Sequence, residues 1–487
     1  MNDTLIPPAS ASLCESVIME HAEAVSYRGR ECSLSLTTRH LSISDDRNGS
    51  TKLIHLDDVV GATSRATGKK GARALEIHTF AHIDNTGCFS CCCGSKGRKR
   101  VTEIIFFQDE AECFNWVNGI NCVLSGVEIR RASGNTIIPP PQRKFLVVVN
   151  PVGGTGNATR IWEEETQPFL AEAGINYELV ITQRANHAKD LISTKDLHGI
   201  ETIVIVGGDG LIFEVVSGLI SRDDKDEIMK EISLAPIPGG SGNGLAKSIL
   251  FECNESYSAS SAAFLAARGV ASPLDLSRVH TLSHYHNAFL ILGWGLISDV
   301  DILSESMRWM GEVRFHLSAV YRLLLKQLYR GRLSLYTVPQ IPLQSHNEEG
   351  SNNCSHPIPT LPSINEPLDT SSDSSWLVIE DDFVLVWIMQ TSHCSATIYS
   401  APGAATDDGV FTIIVVRDIS RCRLLSFLLD IDSGKHMDDP KLEVYKATAY
   451  RLEPLTDKGI FTLDGEVVEY GPIQGVVEPS AIRIKKL

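Results

Sequence analysis

The sequence predicts a multidomain α/β-plus-β protein: an N-terminal β domain, a central α/β domain and a C-terminal β domain. Three observations carry this. Before residue 138, short runs alternate apolar and polar residues. Between residues 144 and 240, apolar runs of strand length each end in a turn rich in Gly, Pro or Asn. After about residue 271 the chain becomes β-rich again. The length of 487 residues suits about three domains. At 43% hydrophobic and 21% charged residues, the composition is that of a globular chain. The net charge of −16 argues against nucleic-acid binding, which needs a basic face.

In the first domain (1–138), Cys32 to Thr38 and Leu53 to Leu56 show period-two alternation. Ala74 to Phe80 and Val101 to Phe107 read as a hairpin around a loop with Cys88 and Cys91 to Cys93. Ala111, Phe114, Trp116, Val117 and Ile120 then recur at helical spacing. Strands closed by one helix resemble a pleckstrin-homology domain. The cysteine cluster admits three readings: an inert loop, reversible acylation beside Lys96, Arg98, Lys99 and Arg100 at an anionic lipid surface, or a metal site. Pro139 to Pro141 form a stiff linker.

In the second domain (144–270), strands are expected at Phe145 to Val149, Tyr177 to Thr182, Thr202 to Val206 and Leu234 to Ile237. Three of them lead into glycine turns. Asn150 to Gly156 could present N–H groups to an anion, or be a plain strand-to-helix turn. It is neither a Walker A nor a dinucleotide motif. Gly207-Gly208-Asp209-Gly210 puts an acid among glycines at the carboxyl end of a buried strand, where α/β sheets bind ligands. That acid could take the proton of a hydroxyl nucleophile, the glycines leaving room for a phosphate. The plain alternative is a cap on the helix Leu211 to Ile220. Pro238 to Asn243 forms the third turn.

In the third domain (271–487), a long helix is expected from Glu305 to Tyr329, its apolar face either core or the wall of an alkyl channel. Residues 345–375 read as a disordered surface insertion, rich in Ser, Asn, Pro, Glu and Asp. No run reaches the roughly 18 apolar residues of a membrane span, and the N-terminus lacks a secretion signal. The expectation is a cytosolic protein with peripheral contact to an intracellular membrane, the vacuolar one in a plant.

The three turns, in order, resemble the catalytic region shared by diacylglycerol, ceramide and sphingosine kinases. Gly210 to Leu219, Trp294 to Asp301, Tyr329 to Leu333 and Leu463 to Glu466 are similar to the sphingosine (long-chain base) kinase branch, with a plant-like build. The resemblance implies an α/β nucleotide-binding domain of diacylglycerol kinase type and a β-sandwich lipid-binding domain, with the site between them. It implies transfer of the ATP γ-phosphate, with Mg²⁺, to a sphingoid base.

By the same resemblance, Asp209 is the general base, with Gly207, Gly208 and Gly210 around the substrate. Asn150, Pro151 and Val152 lie along the ATP phosphates; Thr182, Gln183, Arg184, Ala185, Asn186 and Glu214 border the nucleotide. Gly240, Ser241 and Gly242 bind phosphate, as do Arg308 and Arg314. Asp464, Gly465 and Glu466 return to the nucleotide, where the acids help place Mg²⁺. Asp301 holds the cationic amine. On residue pattern alone, Asp299 and Asp301 are loop caps, Arg308 and Arg314 solvated charges, and Asp464-Gly465 a hairpin turn. Val152 and Ala185 depart from the family's more polar pattern. Ceramide kinase, an inactive lipid-binding regulator, and NAD kinase or phosphofructokinase are the competing readings. A homodimer is left open, as is the metal site.

Overall fold

The computed structural model describes residues 16–69, 71–83, 97–154, 156–305, 326–338, 356–371, 373–440 and 442–487. The chain forms two compact units, Met1–Gln142 with Phe169–Ile175, and Arg143–Pro168 with Asn176–Leu487.

The first unit is one antiparallel sheet. Its strands β1 (Met19–Tyr27), β2 (Arg30–Leu36), β3 (His40–Asp45), β4 (Thr51–His55), β5 (Val59–Ala66), β6 (Arg73–His82) and β7 (Arg98–Phe107) lie in the order β4-β3-β2-β1-β7-β6-β5. The expected hairpin is β6–β7, in register from Arg73↔Phe107 to His82↔Arg98. Helix α1 (Glu110–Leu124) is capped by Asp109, whose Oδ1 accepts from Ala111 N at 2.9 Å. It buries Cys113, Trp116 and Ile120 on the sheet. The Asn121 amide brackets the backbone of Ala62, at 3.0 and 2.8 Å, and fixes α1 on β5. Phe114 points outward instead, under the Arg73 guanidinium at 4.6 Å.

Half of the basic run is committed to the fold. Arg98 donates to Asp58 Oδ1 at 2.6 Å and to Phe80 O at 2.7 Å, and Arg100 to Glu172 at 2.9 Å. These two side chains are not loose cations awaiting lipid headgroups. Cys88, Cys91 to Cys93 and Lys96 lie outside the described residues.

In the second unit, β8 (Lys144–Val149), β9 (Asn176–Ile181), β10 (Thr202–Gly207) and β11 (Ser233–Pro238) pair in parallel in the order β11-β10-β8-β9. Phe145 to Val149 and Ile203 to Val206 are wholly buried, as a sheet covered on both faces requires. The helices between and after the strands are α2 (Ala158–Arg160), α3 (Gln167–Glu172, which from Phe169 on belongs to the first unit), α4 (His187–Thr194), α5 (Asp209–Ile220), α6 (Lys225–Glu231), α7 (Gly244–Glu252) and α8 (Ala259–Arg268).

The chain continues into β12 (Val270–His280), β13 (Tyr285–Ala288), β14 (Ile291–Gly295), α9 (Leu296–Glu305), β15 (Tyr329–Thr337), β16 (Trp376–Met389), β17 (Phe411–Arg417), α10 (Arg421–Asp430), β18 (Glu443–Pro454), β19 (Phe461–Leu463), β20 (Glu466–Val468) and β21 (Ile473–Lys486). β16 and β18 each pair with β15 along one part and β17 along another, so they serve two layers. One core gathers Trp294, Tyr329, Phe383, Tyr450 and Phe461; another, under α10, gathers Leu296, Val300, Trp387 and Phe427. This is a β-sandwich. The final strand, β21, joins the halves, pairing in parallel with β11 and antiparallel with β12 and β18.

Two expectations change. A helix precedes the expected one, α9 at Leu296–Glu305, and Tyr329 is the first residue of strand β15, so the expected helix does not reach it. Residues 306–325 lie outside the described ones. The 345–375 tract is not loose over its described length. Buried Arg451 donates to Glu366 O at 2.6 Å and Ser363 O at 3.1 Å, and Gln474 to Pro362 O at 2.9 Å. Tyr336 OH holds Asp373 at 2.9 Å. A buried guanidinium needs several acceptors, and carbonyls of this proline-bearing strap supply them. Residues 345–355 lie outside the description.

Candidate active site

Parallel strands β8, β10 and β11 end side by side, so their three carboxyl-end turns meet. The contact is backbone on backbone. A Cβ on Gly240 would sit 2.3 Å from Gly208 Cα, and one on Gly154 would sit 2.6 Å from Gly240 C. Gly154 also has φ +59°. These glycines let the turns touch each other. Gly210 is different: a Cβ there meets nothing within 4 Å, so this position opens onto free space.

Asp209 is the first residue of α5 and is buried at this meeting point. It does not cap its own helix. Its Oδ2 accepts from Gly244 N at 2.8 Å and its Oδ1 from Leu245 N at 3.2 Å, so it caps α7, the helix after the third turn. Burial pushes its carboxyl above the usual range, against the pull of these N–H groups. A raised pKa and an anion-binding helix terminus suit a carboxylate that takes a proton.

The third turn is fixed by Asn243, in the left-handed region at φ 59°. Its amide pairs with Gly240, accepting from N and donating to O, both at 2.9 Å. The Gly240 N–H is thereby engaged within the turn. Ser241 is exposed at the tip. In the first turn, Asn150 Oδ1 accepts from Val152 N at 3.1 Å, and the Val152 side chain is 83% exposed. Pro151 lies between them.

Glu214 faces the 182–186 loop. Its two oxygens accept from Asn186 N at 3.0 Å and Ala188 N at 3.1 Å, capping α4. Thr182 is buried, bonded through its N–H to Val149 O at 2.8 Å. Gln183 N donates to His187 Nδ1 at 3.1 Å, and Arg184 pairs with Asp190 at 2.6 Å while donating to Ala185 O at 3.2 Å. Glu214 thus shapes this loop, with both its oxygens engaged.

Asp464 and Gly465 both have positive φ, 49° and 89°, in the two-residue turn of the β19–β20 hairpin. The plain reading of this dipeptide as a hairpin turn holds. Asp464 accepts from Phe289 N at 3.0 Å, Leu290 N at 3.1 Å and Ile291 N at 2.8 Å. Burial and, more weakly, the charge of Asp209 push its carboxyl up to about 7. Three N–H groups occupy Asp464, which leaves Glu466, exposed, as the turn's freer carboxylate. Among the described residues, no three His, Cys, Asp or Glu side chains group to hold a metal. Glu466 offers exposed carboxylate oxygens, the donor type that hard cations take.

Residues 390–396, which the sequence did not single out, clasp α7 from the β-sandwich. Ser248 Oγ accepts from His393 N at 3.1 Å, Ala396 N donates to Gly242 O at 2.9 Å, and Gly244 packs on Cys394 O. Burial lowers the His393 imidazole to about 4, so it is neutral there. The contact of Ser248 with His393 joins residues 145 apart in sequence, and no local motif marks it.

Asp301 lies on α9, its side chain outside the description; Arg308 and Arg314 are outside the described residues. Asp299 is buried and accepts from Tyr329 OH at 2.5 Å.

Residues 144–279 match the diacylglycerol kinase catalytic domain, and 378–486 the YegS C-terminal NAD kinase beta sandwich-like domain. Sphingosine kinase 1 of Mus musculus is 35% identical over 360 residues, covering 71% of this chain and 91% of that one. Sphingosine kinase 1 of Arabidopsis thaliana is 34% identical over 342 residues, covering 68% and 69%. A solved diacylglycerol kinase from Bacillus anthracis is 17% identical, covers 71% of this chain and 97% of its own, and has a TM-score of 0.47.

Proposed function

The chain belongs to the sphingosine kinase family, and on that premise we propose that it phosphorylates a sphingoid base with Asp209 as general base. The supporting observation is the buried Asp209 carboxylate where three glycine turns converge. The primary hydroxyl attacks the γ-phosphorus of ATP and a new O–P bond forms. The bond from that phosphorus to the β–γ bridging oxygen breaks, and Asp209 takes the hydroxyl proton. The products are ADP and a long-chain base 1-phosphate.

The turn at Asn150, Pro151 and Val152 and the tip at Ser241 and Gly242 flank the phosphates. Arg308 and Arg314 add charge there. The loop from Thr182 to Asn186, held by Glu214, borders the adenosine. Asp464 fixes its hairpin so that Gly465 and Glu466 meet the nucleotide. Mg²⁺ would be held by Glu466 together with the ATP phosphates, where it would neutralise phosphate charge. Gly210, with open space beside it, admits the hydroxyl-bearing end of the lipid. Asp301 pairs with the substrate amine, which an N-acylated base lacks; this separates the reading from ceramide kinase.

The first unit is read as pleckstrin-homology-like, supported by its seven-stranded antiparallel sheet and single closing helix. A lipid substrate calls for peripheral membrane contact. Among the described residues no helix is long and apolar enough to cross a membrane.

The test is labelled ATP and Mg²⁺ with sphingosine, phytosphingosine, ceramide and diacylglycerol in parallel. Transfer to the free bases is expected. Transfer to ceramide alone would sink the reading.

A further inference from the structure

Helix α9 follows β14 without a loop. Gly295 makes the bend at φ +83°, where a Cβ would lie 2.5 Å from Val384 O. Two buried polar contacts then fasten the helix to the sandwich. Ser298 Oγ and Thr462 Oγ1 are 2.9 Å apart, joining α9 to the strand that leads into the Asp464 turn. Asp299, 5% exposed, accepts from the hydroxyl of Tyr329, 2% exposed, at 2.5 Å. Tyr329 opens β15, pairs with Phe383 on β16, and has its ring 5.6 Å from that of Trp294.

A carboxylate in an apolar core is costly to bury unless it is bonded, so a residue that only filled space here would be apolar. What the acid supplies is a charge-assisted, directional bond. That bond joins the first turn of α9 to the start of β15. Position 301 lies two residues further along α9, on a different face from position 299.

We propose that Asp299 is a positioning residue for the sphingoid base: its bond to Tyr329 sets the rotation of α9 and thereby the placement of position 301. This rests on the sphingoid-base reading above. Asp299 itself does not touch the substrate; it acts through the helix.

The test uses the full chain, with sphingosine varied at saturating ATP, ATP varied at saturating sphingosine, and thermal unfolding alongside. Tyr329→Phe keeps the ring and removes only the hydroxyl. It raises KM for sphingosine about tenfold, with kcat and KM for ATP within about twofold. Asp299→Asn retains an oxygen for the tyrosine and raises that KM by no more than about threefold. Combining Tyr329→Phe with Asp299→Ala costs no more than Asp299→Ala alone, because both delete one bond.

An unchanged KM for sphingosine in Tyr329→Phe would overturn the proposal. So would equal changes for both substrates with a lower Tm, the mark of general fold support. A loss in Asp299→Asn as large as that in Asp301→Ala would also overturn it, because Asp299 would then pair with the amine directly. An Asp301→Ala chain that keeps its KM for sphingosine is a failure of the amine reading instead, and Tyr329→Phe still decides the staple.

Discussion

With both oxygens of Asp209 already bonded to the N-terminus of α7, proton acceptance must use the remaining lone pairs of a carboxylate held rigidly in place. Asp209→Asn keeps one acceptor oxygen and the shape, so the fold and ATP binding survive while turnover falls by at least about a hundredfold. Retained turnover, with ATP binding followed by fluorescence, would refute the base assignment. Asp464 offers a pH test. Its folded-state pKa of about 7 lies above the unfolded value near 3.9. Its contribution to stability is therefore fully present below about pH 4 and is lost as pH rises through 7. Urea unfolding should show wild type losing stability over that window relative to Asp464→Asn; parallel curves would remove the assignment.

At the scale of elements, the glycines of the turns divide by what a side chain would meet. Gly240→Ala drives a Cβ into Gly208 backbone and should destabilise by about 2 to 3 kcal/mol, lowering Tm. Gly210→Ala meets open space in the first turn of α5, so Tm should hold while turnover drops. Equal Tm losses in both would mean that the opening beside Gly210 is not a substrate space. Glu214→Ala uncaps α4 and should cost about 1 kcal/mol while raising KM for ATP more than KM for the base. The reverse order of KM effects would detach the 182–186 loop from the nucleotide.

Across the whole second unit, an ion cluster ties the chain's last strand to the α/β sheet. Glu201 accepts from Arg143 at 2.8 Å through both oxygens and from Lys485 of β21 at 2.9 Å. Although burial opposes it, these cations hold its carboxyl down to about 2. The unfolded value is near 4.3. Its stabilisation is fully present above that pH and is lost as pH falls toward 2. Glu201→Gln should lower stability at pH 7 and flatten the acid-unfolding curve between about pH 4 and 2, read by circular dichroism. An unchanged acid limb would show that the cluster does not hold β21.

The parallel strands and the three glycine turns were legible because each is local: apolar runs bury on both faces, and turns need residues without side chains at the contact. The identity of Asp209 as a candidate base followed from the same short motif. What Asp209 binds could not be read, since its partners Gly244 and Leu245 lie on the helix after a different turn. The same holds for the clasp at His393, the three N–H groups on Asp464, and the strap bound by Arg451. Each joins residues far apart in sequence, and their meeting depends on β21 bringing the sandwich to the edge of the α/β sheet. Sequence determined which residue types stand ready for phosphoryl transfer. Tertiary structure decided which of them are engaged in holding the others in place, because hydrogen-bond partners are set by distance in space.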